Sequence, residues 1–139
     1  MSLLGDEWLP DVTSFLVAHP KVVLAFMFGS LARGEARSDS DADFAVYLTP
    51  GYSEQDISSI WSRLEDLTHR DVDLVVLNSA LAGIAWAAMK GRVLVDKDPK
   101  LHLELMLERS AEAEDFREFV MDLLTLRARW RDENAASIS

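Results

Sequence analysis

The sequence contains no cysteine. That excludes disulfides, Cys-ligated zinc and a thiol nucleophile, and it fits a reducing, cytoplasmic setting. Positive charge is scarce: Lys plus Arg number 14 against 24 Asp plus Glu, a net charge of -10. Such a surface repels phosphate backbones, so nucleic acid is a poor substrate for it. A cationic small molecule or a basic protein partner suits it better. No apolar run approaches the ~20 residues that cross a bilayer, and no basic-then-apolar leader opens the chain, so no membrane association is expected. The histidines, His19, His69 and His102, share no ligand spacing and read as surface or loop residues. Gly-Lys-Ser/Thr is missing, which rules out a Walker A phosphate loop.

What remains is a chain of 139 residues that is 49% hydrophobic, enough for one sizeable core. We expect a single domain over 1–139, with a core at about 10–96 and a helical extension at about 98–132. Pro10 to Ala18 reads as a helix with Pro in its first turn and Val12, Phe15 and Leu16 on one face. Lys21 to Phe28 is an apolar run of strand length. Asp41 to Leu48 alternates, with Asp41, Asp43, Ala45 and Tyr47 on one face and Ala42, Phe44, Val46 and Leu48 on the other, so it is a strand.

Ser53 to Leu67 is a helix opened by a Ser53–Asp56 capping pair, with Ile57, Ile60, Trp61, Leu64 and Leu67 as its core face. Arg70 to Leu77 is a further strand, Ser79 to Lys90 a helical segment stopped by Gly91, and Arg92 to Asp96 a short strand. Asp98-Pro99 then caps a mostly helical tail to Arg131. Leu101, Leu103, Leu105 and Leu107 alternate as in a strand, but their helix-forming neighbours decide for helix. One helix or two, with a break near Ala113–Asp115, both fit. The stripe Phe116, Phe119, Val120, Leu123 and Leu124 fits either core or a dimer or partner contact.

The chemistry concentrates between Phe28 and Val46, FGSLARGEARSDSDADFAV. A strand delivers the chain to Gly29-Ser30, and helix-friendly Leu31-Ala32-Arg33 follows. Glycine lets backbone approach a ligand, and free N–H groups at a helix start, with the Ser30 hydroxyl, can hold phosphate oxygens. Ten residues later come Asp41 and Asp43, on one face of a strand and about 7 Å apart along it. Carboxylates this close repel, and a divalent cation relieves them. Read alone, the pair is more readily a polar strand edge that discourages aggregation. Asp73 is the third candidate. A carboxylate heading into an apolar strand is costly unless something binds it, and if the two strands are neighbours Asp73 completes a cluster. Asp39 and Asp71 lie closer to loops.

Gly-Ser, ten residues and Asp-x-Asp, followed by a strand bearing Val72-Asp73-Leu74-Val75, resembles the signature of the DNA polymerase beta-type nucleotidyltransferase superfamily. The Ala-Arg-Gly after Ser30 and the Ser-Asp before Ala42 narrow the resemblance to the minimal nucleotidyltransferase (MNT) antitoxins, which are encoded beside HEPN-domain toxins. It covers most of Lys21 to Asp96. Ala42 and Phe44 depart from the larger aliphatic pair common there, which bears on packing rather than on metals.

The resemblance implies an α/β (α+β) fold: a small mixed sheet, helices mainly on one face, and a helical C-terminal tail. It implies that Gly29 and Ser30 bind the triphosphate and that Asp41 and Asp43 hold two Mg²⁺ ions. Asp73 would bind one of these ions and help the acceptor hydroxyl lose its proton. Arg33 and Arg37 are near enough in sequence to touch phosphates, or are plain surface charges. The implied reaction moves AMP from ATP to a tyrosine hydroxyl of the HEPN toxin. Two other readings stay open: adenylylation of a small hydroxylated molecule such as an aminoglycoside, and an antitoxin that acts by binding alone.

Overall fold

The computed structural model describes residues 6–29, 41–113, 125 and 127–129. Ser30, Arg33, Arg37, Asp39, the loop expected over Gly34 to Ser40, the 116–124 stripe and the tail from Glu133 lie outside them.

A 3-10 turn at Asp6–Trp8 leads into helix α1, Leu9–Ala18. Pro10 sits in its first turn, where a missing N–H costs nothing. Val12 and Leu16 are fully buried, one helical turn apart. Strand β1, Val22–Phe28, follows, then β2, Ala42–Leu48. Helix α2, Glu54–Thr68, begins with the full capping box. Ser53 Oγ accepts from the Asp56 amide, and Asp56 Oδ2 accepts from the Ser53 amide at 2.8 Å. The remaining elements are β3, Val72–Val76, α3, Ala82–Met89, β4, Arg92–Asp96, and α4, 99–113. Asp98 Oδ1 caps α4 by accepting from the Leu101 amide at 3.1 Å.

The sheet order is β3-β2-β1-β4. β1 runs antiparallel to both neighbours, while β2 and β3 are parallel. Helix α2 supplies the crossover that a parallel pair requires. Among the described residues β1 and β2 are therefore central, and β3 and β4 are edges.

The mixed sheet agrees with the expected fold class, but the helices do not gather mainly on one face. Val12 and Leu16 of α1 and Ile60 and Leu64 of α2 pack with Ala42, Phe44 and Val46 on one side. Ala85, Ala88 and Met89 of α3 and Leu105 of α4 pack with Leu24, Phe26 and Ala45 on the other. The reason lies in β1: its residues are apolar on both faces, so neither can be left to water. Ala42 and Phe44 are fully buried, as expected of core-facing positions. Along α4 the four leucines separate as a helix requires, Leu105 buried and Leu103 and Leu107 exposed. Among the described residues no helix is long and apolar enough to cross a membrane.

Two of the histidines refine the sequence reading. His69 is exposed and ends α2 in the left-handed conformation, φ 54°. His102 is no loop residue: it lies on α4, half-buried, its ring edge-on to Phe26 and its Nδ1 2.9 Å from Asp96 Oδ2.

Candidate active site

Strand register assembles the site. Phe28, the last residue of β1, stands opposite Asp43, the second of β2, and Asp43 stands opposite Asp73, the second of β3. In-register neighbours on adjacent strands are about 4.8 Å apart and project to the same face. The two carboxylates thus lie side by side on the face that also carries Ala45 and Val75, the α3 side of the sheet. Asp41 precedes β2 by one residue and is exposed; Asp43 is half-buried.

Gly29 follows directly on Phe28 with φ +75°, the left-handed region that disfavours side chains. A Cβ built on Gly29 would run into the Asp43 carboxylate. Two independent constraints therefore demand glycine there. The Gly29 backbone thus lies directly against the Asp43 side chain.

Asp73 is not the buried carboxylate inferred from its apolar surroundings. It is exposed, at the second position of β3, the outermost strand on that side among the described residues. The burial argument for Asp73 fails, while the neighbour condition attached to it is met.

Residues not singled out as site components hold this register. Val72, beside Asp73, has its carbonyl taken by Trp61 Nε1 at 2.6 Å and its amide directed at Glu65 Oε2 at 3.3 Å. The Ala42 amide donates to the Asp71 carbonyl at 2.9 Å. Trp61, assigned to the core face of α2, is instead partly exposed and works as a clamp on β3. A Trp at the margin of an amphipathic stripe, with a donor to satisfy, was the available signal.

The donor set fits a hard divalent cation. Among the described residues no group of three or more His, Cys, Asp or Glu forms a ready-made cage. The register instead offers the Asp43–Asp73 pair with Asp41 at the rim. That matches Mg²⁺, which keeps several waters and binds through one or two carboxylates plus substrate phosphates. Like charges held this close favour a bound cation.

The model of the polymerase beta nucleotidyltransferase family matches residues 11–100, a span that contains this whole row. The chain belongs to that family. Within it, this nucleotidyltransferase is similar to the protein adenylyltransferase MntA of Thermococcus cleftensis, 35% identical over 94 residues that span 63% of this chain and 95% of that protein. A solved structure named for a minimal nucleotidyltransferase is 31% identical, covers 60% of this chain and 85% of its own, and superposes with a TM-score of 0.52. Two more distant likenesses show the fold alone. One is a toxin–antitoxin crystal structure with AMP-PNP, at 19% identity, TM-score 0.66 and coverage of 87% and 99%. The other is a Shewanella oneidensis MNT antitoxin with a tri-AMPylated HEPN toxin, at 18% identity, TM-score 0.57 and coverage of 84% and 98%.

Proposed function

We propose that this nucleotidyltransferase transfers AMP from ATP to a tyrosine hydroxyl of a HEPN-domain toxin and so acts as its antitoxin. The observation that carries the reading is the in-register Asp43–Asp73 pair with Gly29 seated on Asp43. The relatives add the acceptor class: one is a protein adenylyltransferase, and one fold neighbour is a MNT antitoxin solved with an AMPylated HEPN toxin.

In this reading the Gly29 backbone, with Ser30 and Arg33, receives the triphosphate. Asp41, Asp43 and Asp73 hold Mg²⁺, which when bound neutralises phosphate charge and lowers the pKa of an attacking hydroxyl. Asp73, at the open edge, is the carboxylate that an incoming protein hydroxyl can reach, so it takes the acceptor's proton. The hydroxyl oxygen bonds to the α-phosphorus and the bond to the β-phosphate oxygen breaks, releasing pyrophosphate. Positioning and charge supply most of the rate in such chemistry, which is why a chain without cysteine suffices.

The test is label transfer from ATP to the HEPN protein encoded beside this chain, with and without Mg²⁺. Wild type should label it, and chelation should abolish the signal. Asp43→Asn and Asp73→Asn should each lower the rate by about 10³-fold with the fold intact. No transfer by wild type, or full transfer by an Asp41→Ala, Asp43→Ala double variant, would refute the assignment. Protection of cells by that double variant would favour neutralisation through binding alone.

A further inference from the structure

Gly91 ends the segment between α3 and β4, and its sequence signature is an ordinary helix stop. The structure gives it a second neighbourhood. A Cβ at Gly91 would collide with the Met27 carbonyl oxygen, lie 2.8 Å from Phe28 Cβ and sit 3.0 Å from Phe28 Cα. Two of these three atoms are backbone, so the contact cannot be relieved by rotating a side chain. Only Gly29 and Gly51 among the described glycines have positive φ, so the backbone of Gly91 itself accepts alanine. Space, not conformation, requires glycine here.

The atoms it would displace belong to the site. Met27 pairs with Arg92, Phe28 with Asp43, and Asp43 with Asp73. Phe28, Asp43 and Asp73 thus form one row across β1, β2 and β3, with Gly29 hung from its end, and Gly91, one residue before β4, abuts that row at Phe28. Gly91 cannot readily retreat. Its amide donates to the Ala88 carbonyl at 3.1 Å, and α3 is anchored by buried Ala85, Ala88 and Met89.

We infer that Gly91 is a positioning residue for the nucleotide and metal site. The close approach of the α3–β4 corner sets where β1 ends, and thereby where Gly29 meets Asp43. The inference rests on the reading of Asp43 and Asp73 as cation ligands. Substitution at a residue that orients metal ligands typically costs 10- to 100-fold in metal affinity or activity.

The experiment measures Mn²⁺ binding by electron paramagnetic resonance, with a non-hydrolysable ATP analogue present, for wild type, Gly91→Ala and Gly51→Ala. Gly51 has φ +89° and nothing within 4 Å of an added Cβ, so its alanine variant strains a remote turn and serves as the stability control. Gly91→Ala should weaken Mn²⁺ binding about tenfold and lower kcat for label transfer while leaving KM for the HEPN protein unchanged. Gly51→Ala should lower the melting temperature and leave both readouts alone. Equal Mn²⁺ affinity for wild type and Gly91→Ala overturns the role of Gly91 alone. Equal losses in Gly91→Ala and Gly51→Ala also overturn it, by reducing it to stability. A wild type that binds no Mn²⁺ overturns the site and the inference together.

Discussion

The two ends of the sheet differ in the groups they bring together. At the end where β1 begins, polar and charged groups meet one another in hydrogen bonds and an ion pair. Lys21 Nζ reaches Asp56 Oδ2 at 2.7 Å, His102 meets Asp96, and Lys97 Nζ donates to the His19 carbonyl at 3.0 Å. Asn78 extends the ladder there, accepting from the Leu48 amide at 2.9 Å and donating to the Leu48 carbonyl at 2.8 Å. At the other end of β1, six residues and about 20 Å away, the register sets carboxylate beside carboxylate. One end is arranged to hold; the other carries the carboxylates that the proposed function assigns to a cation. On that proposal the difference separates groups that matter to stability from groups that matter to transfer.

The largest expected effect is at the carboxylate end. Gly29→Ala combines left-handed strain of about 1–2 kcal/mol with a collision against the Asp43 carboxylate. Label transfer should vanish, while circular dichroism reports a folded but less stable protein; transfer at the wild-type rate would break the contrast between the ends. Next comes Asn78→Ala, which strips both polar partners from the Leu48 peptide groups. It should cost about 1–3 kcal/mol in urea unfolding, with transfer per folded molecule unchanged; a fall in that rate would show that the ends are coupled.

The smallest effect concerns Asp56. Hydrogen bonds from the Lys21 side chain and the Ser53 backbone hold its pKa at about 2, below its ordinary 3.8. A depressed carboxylate pKa contributes stability that is complete above the unfolded value and fades as pH falls toward the folded one. Lys21→Met should therefore flatten the loss of stability between about pH 4 and pH 2, measured by urea unfolding across that range. An unchanged slope would show that the pair contributes nothing.

Much of this was legible because it is local. The Ser53–Asp56 box, Pro10, the Asp98 cap and the period-2 faces of β2 each depend on neighbours within a few residues. Gly29 was also legible, although its reason was only half visible: a turn before a helix suggests close approach to a ligand, and nothing local announces Asp43 beneath it. What stayed hidden is what strand order decides. An apolar β3 looks buried along its length, yet only Val72 is, and Asp73 beside it is exposed on the other face. The apolar run of β1 calls for cover on both faces but does not say which helices supply it, so the helices were assigned mainly to one. Gly91 read as a stop signal because its constraint comes from residues more than sixty positions earlier.

The central place of β1 has a further consequence. Hydrogen bonded on both sides and covered on both faces, it can release its amides to solvent only when the whole molecule opens, whereas β3, with one open flank, can detach alone at lower cost. Asp43, on β2 and paired on both sides, belongs to the late-opening centre, and Asp73 to an outer strand that opens earlier. A cation held between them would fasten the outer strand to the centre, so occupancy of the site would change hydrogen exchange more in β3 than in β1 or β2.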